Sequence, residues 1–387
     1  MLNIILLGLV SFFSDLSTEM VYPLIPLYLT GVFGATPALV GVIEGIAESA
    51  ASILKVFSGY ITDKYRLKKP AAFIGYATGL IYKLALIIAT SWGGVLAARV
   101  VDRIGKGIRT APRDVLVSQS ASKGSMGKSY GIHKALDMAG SAAGIFVAYL
   151  LVLNMSSGYD YKKFFLLSII PAAFGLVALL FVKEKREPRQ KKEREHFWLK
   201  LKRVSPDLRL YLLVTFIFTL GNSSNTFLLL RAKDVGFTDT NVVLLYLAFN
   251  LTSALLSVPF GRLSDKIGRK FLLVCGYLVF SAVYACFAFA NSGTLMIFAF
   301  ILYGFYSAMT AGAERALIAE IAPDGLKGTM LGLQATISGI ALLPASVIAG
   351  LLWNGIGAYA PFLLGAALSL TAAVLLILLL NKRKQIV

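Results

Sequence analysis

The sequence predicts an all-α polytopic membrane protein: twelve transmembrane helices in two six-helix bundles related by pseudo-two-fold symmetry. Three observations lead there. Of 387 residues, 57% are hydrophobic and only 15% charged, with a mean hydropathy of +0.74, whereas a soluble chain carries about 25% charged residues. Apolar runs recur along the whole length, each of around 20 residues, enough helix to cross an apolar core ~30 Å thick. Landmarks of the first half also return in the second at a fixed offset of 202 residues.

The spans fall at approximately 3–31, 37–60, 70–91, 93–118, 129–153, 163–182, 209–231, 240–260, 269–290, 294–318, 328–353 and 357–380. The first run is too long for a cleavable signal peptide, lacks a basic flank and contains Asp15 and Glu19. Loops at 62–69, 119–128, 183–208, 262–270 and 381–387 are rich in Lys and Arg, and those near 32–36, 91–93, 291–293 and 354–357 carry none. By the positive-inside rule both termini are expected in the cytoplasm, with the chain in the inner membrane. The net charge of +18 is therefore a topology signal, and nucleic acid is not an expected partner. Cys275 and Cys286, eleven residues apart on one predicted helix, are roughly 16 Å apart, too far for a disulfide.

Residues 183–203 hold ten basic and four acidic side chains and no span. They divide the chain into an N-terminal bundle (1–182), a basic cytoplasmic linker (183–208) and a C-terminal bundle (209–387). The repeat supports that division. Gly59-Tyr-Ile-Thr-Asp63-Lys64-Tyr-Arg-Leu-Lys68 leaves span 2, and Gly261-Arg-Leu-Ser-Asp265-Lys266-Ile-Gly-Arg-Lys270 leaves span 8. The same offset carries Arg113 onto Arg315 at the matching end of span 10. Parallel six-span repeats are a transporter architecture, with the site between the halves near the midplane.

The loop pattern Gly-x-x-x-Asp-(Arg/Lys)-x-Gly-(Arg/Lys)-(Arg/Lys) resembles the signature of the major facilitator superfamily. Residues 261–270 match it fully, and 59–68 depart from it at Arg66 and Leu67. Phe12-Phe-Ser-Asp-Leu-Ser-Thr-Glu-Met-Val-Tyr-Pro23 and Asp102-Arg-Ile-Gly-Lys-Gly-Ile-Arg-Thr-Ala-Pro-Arg-Asp114 resemble, more narrowly, bacterial permeases grouped with drug or metal exporters. The resemblance implies a secondary transporter working by alternating access. It also implies a cytoplasmic gate in which the signature Asp63 meets Arg113, with Gly59, Lys64 and Asp114 around it. Asp265 with Glu314 or Arg315 would form the counterpart, with Gly261, Lys266 and Arg269 around it.

The chemistry is expected in the N-terminal half. On span 4, Arg99, Asp102, Arg103, Lys106, Arg109, Arg113 and Asp114 share one side of a helix, within an arc of roughly 140°. Asp15 and Glu19 of span 1, and Glu44 and Glu48 of span 2, each lie one turn apart, while span 3 has Lys83 and span 5 has His133, Lys134 and Asp137. One ion facing lipid costs at least ~2.5–3.5 kcal/mol, so these groups must pair, face a cavity or become neutral. A closed network fixing helix register is one reading. The other is a proton or substrate site formed by Asp15, Glu19, Glu44, Glu48, Lys83, Arg99, Asp102, Arg103, Lys106 and Asp137, with Arg99 and Arg103 answering the acids of spans 1 and 2. The C-terminal half offers Asn222, Asn225, Asn250, Ser253, Thr310, Gln334, Tyr246, Tyr303 and Tyr306 for substrate contacts.

Gly105-Lys-Gly107 lacks the strand–loop–helix context of a phosphate loop, so ATP-driven transport is not expected, nor is any cofactor or resident metal. The expected activity is proton-coupled export of a small molecule by antiport, carried out by a monomer in the bilayer. An organic-anion transporter and a divalent-metal exporter of the same fold are the alternatives. A membrane-embedded enzyme is a remote one, since catalysis has no need of two related halves.

Overall fold

The computed structural model describes residues 2–65, 68–120, 126–154, 160–184, 206–321 and 327–381. Helix α1 (Leu2–Glu19), a 3-10 turn at Tyr22–Leu24 and α2 (Ile25–Phe33) make the first span. Pro23 supplies no backbone N–H where the helix that ends at Glu19 would continue, and the helix restarts at Ile25 with Pro26 in its first turn, where a missing N–H costs nothing. The other spans of the first half are α3 (Pro37–Tyr65), α4 (Lys68–Ile88), α5 (Trp92–Ser120), α6 (Met126–Leu153) and α7 (Tyr161–Leu180).

The second half opens on another interrupted span, α8 (Pro206–Gly221) and α9 (Thr226–Asp234). Its break at 222–225 lies 202 residues after the break at 20–24, so the repeat includes the interruption as well as the loops. Spans α10 (Asp239–Ile267), α11 (Arg269–Phe289), α12 (Gly293–Ile321), α13 (Lys327–Gly355) and α14 (Ala360–Asn381) follow. Eleven of the spans are long and apolar enough to cross a membrane. The twelfth, α5, fails that test only because of its charges.

The helices are inside-out relative to a soluble bundle. On α4, Ile74, Ile81, Leu84 and Ile88 are exposed at helical spacing, while Tyr76, Tyr82, Lys83 and Leu86 of the other side are buried. Outward apolar and inward polar faces suit a lipid solvent.

The chain packs as two compact units, Met1–Lys185 with Asn225–Leu247, and Arg186–Ser224 with Ala248–Val387. The first unit thus takes in α9 and the start of α10, because α9 packs on α2 and α3. The expected linker lies almost wholly outside the described residues. Within the first unit α1 packs on α6 and α7, and α4 on α5 and α7. The second unit has the equivalent pairs, α8 on α13 and α14, and α11 on α12 and α14.

Small residues set the closest approaches. Gly140 and Gly144 of α6 let its backbone lie against α1 at Phe12 and Leu16, with Glu19 Cβ 3.0 Å from where a Gly144 side chain would begin. Gly268, between α10 and α11, has φ 93°, a conformation that favours glycine. That accounts for the second glycine of the 261–270 loop. No described atom lies within 4 Å of a Cβ built on Gly261.

Gly144→Leu is expected to lower the unfolding free energy by ~1–3 kcal/mol through overpacking, while Gly261→Leu leaves it nearly unchanged. Thermal unfolding of the purified variants in detergent checks the contrast.

Candidate functional site: a charge ladder around α5

Helix α5 sits in a notch between α3 and α4 that two glycines make possible. A side chain on Gly105 would begin 2.7 Å from the Gly75 carbonyl, and one on Gly107 would begin 2.7 Å from Leu54 Cβ and 3.0 Å from the Ala51 carbonyl. Lys106, between them, points the other way and is exposed. The Gly-Lys-Gly stretch therefore serves helix packing, consistent with rejecting it as a phosphate loop.

The notch brings charged rows into register. Arg99 grips Glu44 with both arms: Nε to Oε1 at 2.9 Å, and Nη2 to Oε1 and Oε2 at 2.6 and 2.5 Å. Both side chains are only 1% exposed, and Arg99 is among the largest fully buried side chains. Its guanidinium also lies over the Tyr22 ring, 5.4 Å from the centroid. One turn on, Arg103 Nη2 meets Glu48 at 3.1 Å. Two acids spaced i, i+4 on α3 thus meet two arginines spaced i, i+4 on α5.

The other α5 charges turn toward α4 and α1. Asp102 lies 3.8 Å from Arg103 and interacts with the buried Lys83 ammonium. Arg109 covers the Tyr76 ring at 4.7 Å and donates to the Gly75 carbonyl at 3.5 Å. Lys106 feels Glu48 and Asp15. No carboxylate stands within ion-pair distance of it among the described residues.

Arg99 and Arg103 make their ion pairs across to α3 with the acids of span 2, and act on Glu19 of span 1 at longer electrostatic range. Asp15 of α1 lies within electrostatic reach of Asp137 of α6, and Asp137 is held by Lys134 at 2.5 Å. Glu19 accepts a 3.4 Å hydrogen bond from the Tyr246 hydroxyl, whose ring packs on Tyr22 at 5.7 Å. Tyr22, Tyr76 and Tyr82 each complete part of this site, with Tyr82 beneath Lys83 at 5.4 Å. Nothing in the sequence set these three apart from other aromatic residues.

The expected gate residues lie on α3, α5, α10, α11 and α12. Arg113 binds its neighbour Asp114 at 2.9 Å and donates to Ser11 Oγ at 3.4 Å. Gly59, Asp63 and Lys64 lie on α3, but their side chains fall outside the described residues. In the second unit Asp265 pairs with Arg269 at 3.7 Å, and Arg269 donates to the Ala316 carbonyl at 3.3 Å. Lys266 and Arg315 are exposed. The signature loop is thus tied to α12 through the Ala316 carbonyl.

The second unit has a core of rings around one amide. Asn222, at the break after α8, donates to the Tyr306 hydroxyl at 3.2 Å and accepts from Tyr284 and Tyr303 at 3.5 Å. Phe218 and Phe280 pack against Tyr306 at 6.0 and 4.7 Å. Among the described residues no group of three or more His, Cys, Asp or Glu side chains is placed to hold a metal ion. A cavity of about 330 Å³ in the first unit, bordered by Thr30, Tyr161, Lys233 and Asp239, contains none of the expected site residues.

Helical pairs repeated in two units, a doubled signature loop and a polar interior fit one family, and the family's sequence pattern matches residues 7–230 and 210–386. The chain belongs to the Major Facilitator Superfamily. An uncharacterized superfamily transporter of Methanocaldococcus jannaschii is 38% identical over 97% of this chain and 94% of its own length. The quinolone resistance protein NorA of Staphylococcus aureus is 27% identical over 40% of this chain and 39% of its own. Among solved structures, a D-xylose–proton symporter superposes with a TM-score of 0.80 at 15% identity, covering 96% of each chain. This superfamily member is therefore a multi-pass membrane transporter.

Removing one partner of the Glu44–Arg99 pair strands a buried charge. Arg99→Met is expected to cost ~3–5 kcal/mol, most of it recovered in the Arg99→Met/Glu44→Leu double variant. A double-mutant cycle of unfolding free energies reads the coupling.

Proposed function

We propose that this transporter exports a small organic molecule in exchange for protons, and that the Asp15–Asp137 pair carries the coupling proton. The electrostatic closeness of those two carboxylates on α1 and α6, with Lys134 paired to Asp137, is the observation that carries the reading. Like charges so close disfavour double ionisation. Lys134 on Asp137 and Lys106 within electrostatic reach of Asp15 stand ready to receive the negative charge once the proton leaves. Transport needs a group whose protonation differs between two conformations, and this pair supplies one. Arg99, Arg103, Glu44 and Glu48 then keep fixed charge and hold the helices in register.

The likeness to NorA over 153 residues, and the resemblance of the Phe12–Pro23 and Asp102–Asp114 stretches to exporters, favour the outward direction. Alternating access places Asp63, Lys64, Arg113 and Asp114, with Asp265, Lys266, Arg269 and Arg315, at the cytoplasmic gate. Both termini lie on that side of the inner membrane, and one chain forms the working unit.

A second reading is transport of an organic anion. The exposed ammonium of Lys106 favours it, since it faces away from the packed side of α5. Metal export draws no support from the described residues.

Substrate panels in everted vesicles with an imposed pH gradient test the proposal. Asp137→Asn is expected to lower gradient-driven flux at least about tenfold, about 1.4 kcal/mol of lost coupling, while exchange without a gradient persists. Flux in Asp137→Asn and Asp15→Asn that follows the gradient as in wild type would overturn it. Gradient-driven movement confined to anionic substrates would favour the second reading.

A further inference from the structure

The charge ladder leaves two buried cations on its α4 side. Lys83 is 1% exposed and Arg109 is 5% exposed, and among the described residues no carboxylate stands within ion-pair distance of either. Arg109 finds substitutes in the Tyr76 ring at 4.7 Å and the Gly75 carbonyl at 3.5 Å. Lys83 has less. Its ammonium carries three donors, no described group accepts a hydrogen bond from it, and its close neighbour is the Tyr82 ring, 5.4 Å to the centroid. Asp102 of α5 and Asp15 of α1 act on it only at longer range, and Asp102 lies 3.8 Å from Arg103.

The helix contact beside this ammonium changes within one turn. At Gly75 the helices are tight, with a built Cβ 2.6 Å from Arg109 Cβ and 2.7 Å from the Gly105 carbonyl. Gly79, one turn along the same face of α4, is also buried. A Cβ built on Gly79 meets Lys83 Nζ at 3.8 Å and, its own helix backbone apart, no other described atom within 4 Å. Side chains on a helix lean toward its N-terminus, and Lys83 accordingly folds back over Gly79. The result is an enclosed space about one atom wide, with the ammonium at its edge. The Arg109 guanidinium, over Tyr76, lies roughly one helical turn, ~5 Å, further along α4. The hydroxyls of Tyr76 and Tyr82 are buried and have no hydrogen-bond partner, so this layer is rich in donors and poor in acceptors.

A buried ammonium needs both an acceptor and an opposite charge at contact distance. Water supplies the acceptor alone. The carboxylates of α1 and α5 supply charge but no contact. A monatomic anion over Gly79 supplies both, whereas a phosphate or an organic carboxylate exceeds the space.

We propose that the first unit binds a halide ion, chloride in the cell, over Gly79, with Lys83 as its direct ligand and Arg109 as the second cation. The ion is a resident counter-ion between α4 and α5. It is not cargo, since neither cation faces solvent. The site does not depend on which group carries the coupling proton.

Thermal unfolding of the purified full-length chain in detergent tests it, in sodium chloride, sodium bromide and sodium gluconate at equal ionic strength and pH. Chloride and bromide are expected to raise the wild-type midpoint above that in gluconate by at least about 2 °C. Gly79→Ala places a methyl group where the ion would sit, at ordinary contact distance from Nζ. That variant is expected to fold and to lose the difference between salts. Lys83→Met removes the ligand and is expected to lose it too; if Lys83→Met does not fold, Gly79→Ala decides. A wild-type midpoint equal in all three salts overturns the site and leaves water or a neutral amine in its place. A difference that persists in Gly79→Ala or in Lys83→Met also overturns it, because the halide then acts elsewhere.

Discussion

A guanidinium and a carboxylate in low dielectric cost several kcal/mol each to desolvate, and only a near-ideal mutual geometry offsets that cost. The Glu44–Arg99 pair has such geometry, with three short contacts and almost no exposure. The rest of the first unit depends on it. The pair neutralises the deepest charge of α5 and sets the helix beside Glu48 of α3 and Lys83 of α4, where Arg103 and Asp102 find their partners. The glycine contacts at Gly75, Gly105 and Gly107 bring the helices close enough for the pair to close.

The partner of each ionisable group decides what it can do. Arginine stays protonated at any accessible pH, so a carboxylate gripped by it behaves as fixed charge. Glu19, which accepts from the Tyr246 hydroxyl, has a softer partner, and Asp15 has only another acid within electrostatic reach on α6. A transporter needs both kinds of group. Fixed charge holds rigid units together, and exchangeable charge lets their state respond to a gradient.

Much of this was legible in one dimension. Hydropathy and loop charge marked the spans, the 202-residue offset marked the repeat, and the phase of charges on span 4 marked α5 as the organising helix. The choice of partners was not legible. Asp15/Glu19 and Glu44/Glu48 have identical spacing, so either row fits Arg99 and Arg103. Only the rotation of α1 against α6, set by Gly140 and Gly144, turns Asp15 toward Asp137. The tyrosines that complete these sites are chemically indistinguishable, in sequence, from apolar filler.

The equal pitch of Glu44/Glu48 and Arg99/Arg103 has a further consequence. A ladder with matching rungs tolerates slippage: moved by one turn, Arg103 would meet Glu44, and electrostatics alone would resist only weakly. The glycines supply the resistance. A four-residue slip of α5 would set Arg103 or Ala111 in place of Gly107 against Ala51 and Leu54, and Val101 or Arg109 in place of Gly105 against Gly75. Each replacement brings side-chain atoms where the gap is 3.0 Å or less. The charges provide adhesion without position, and the notches act as the detent that gives the helix its single register.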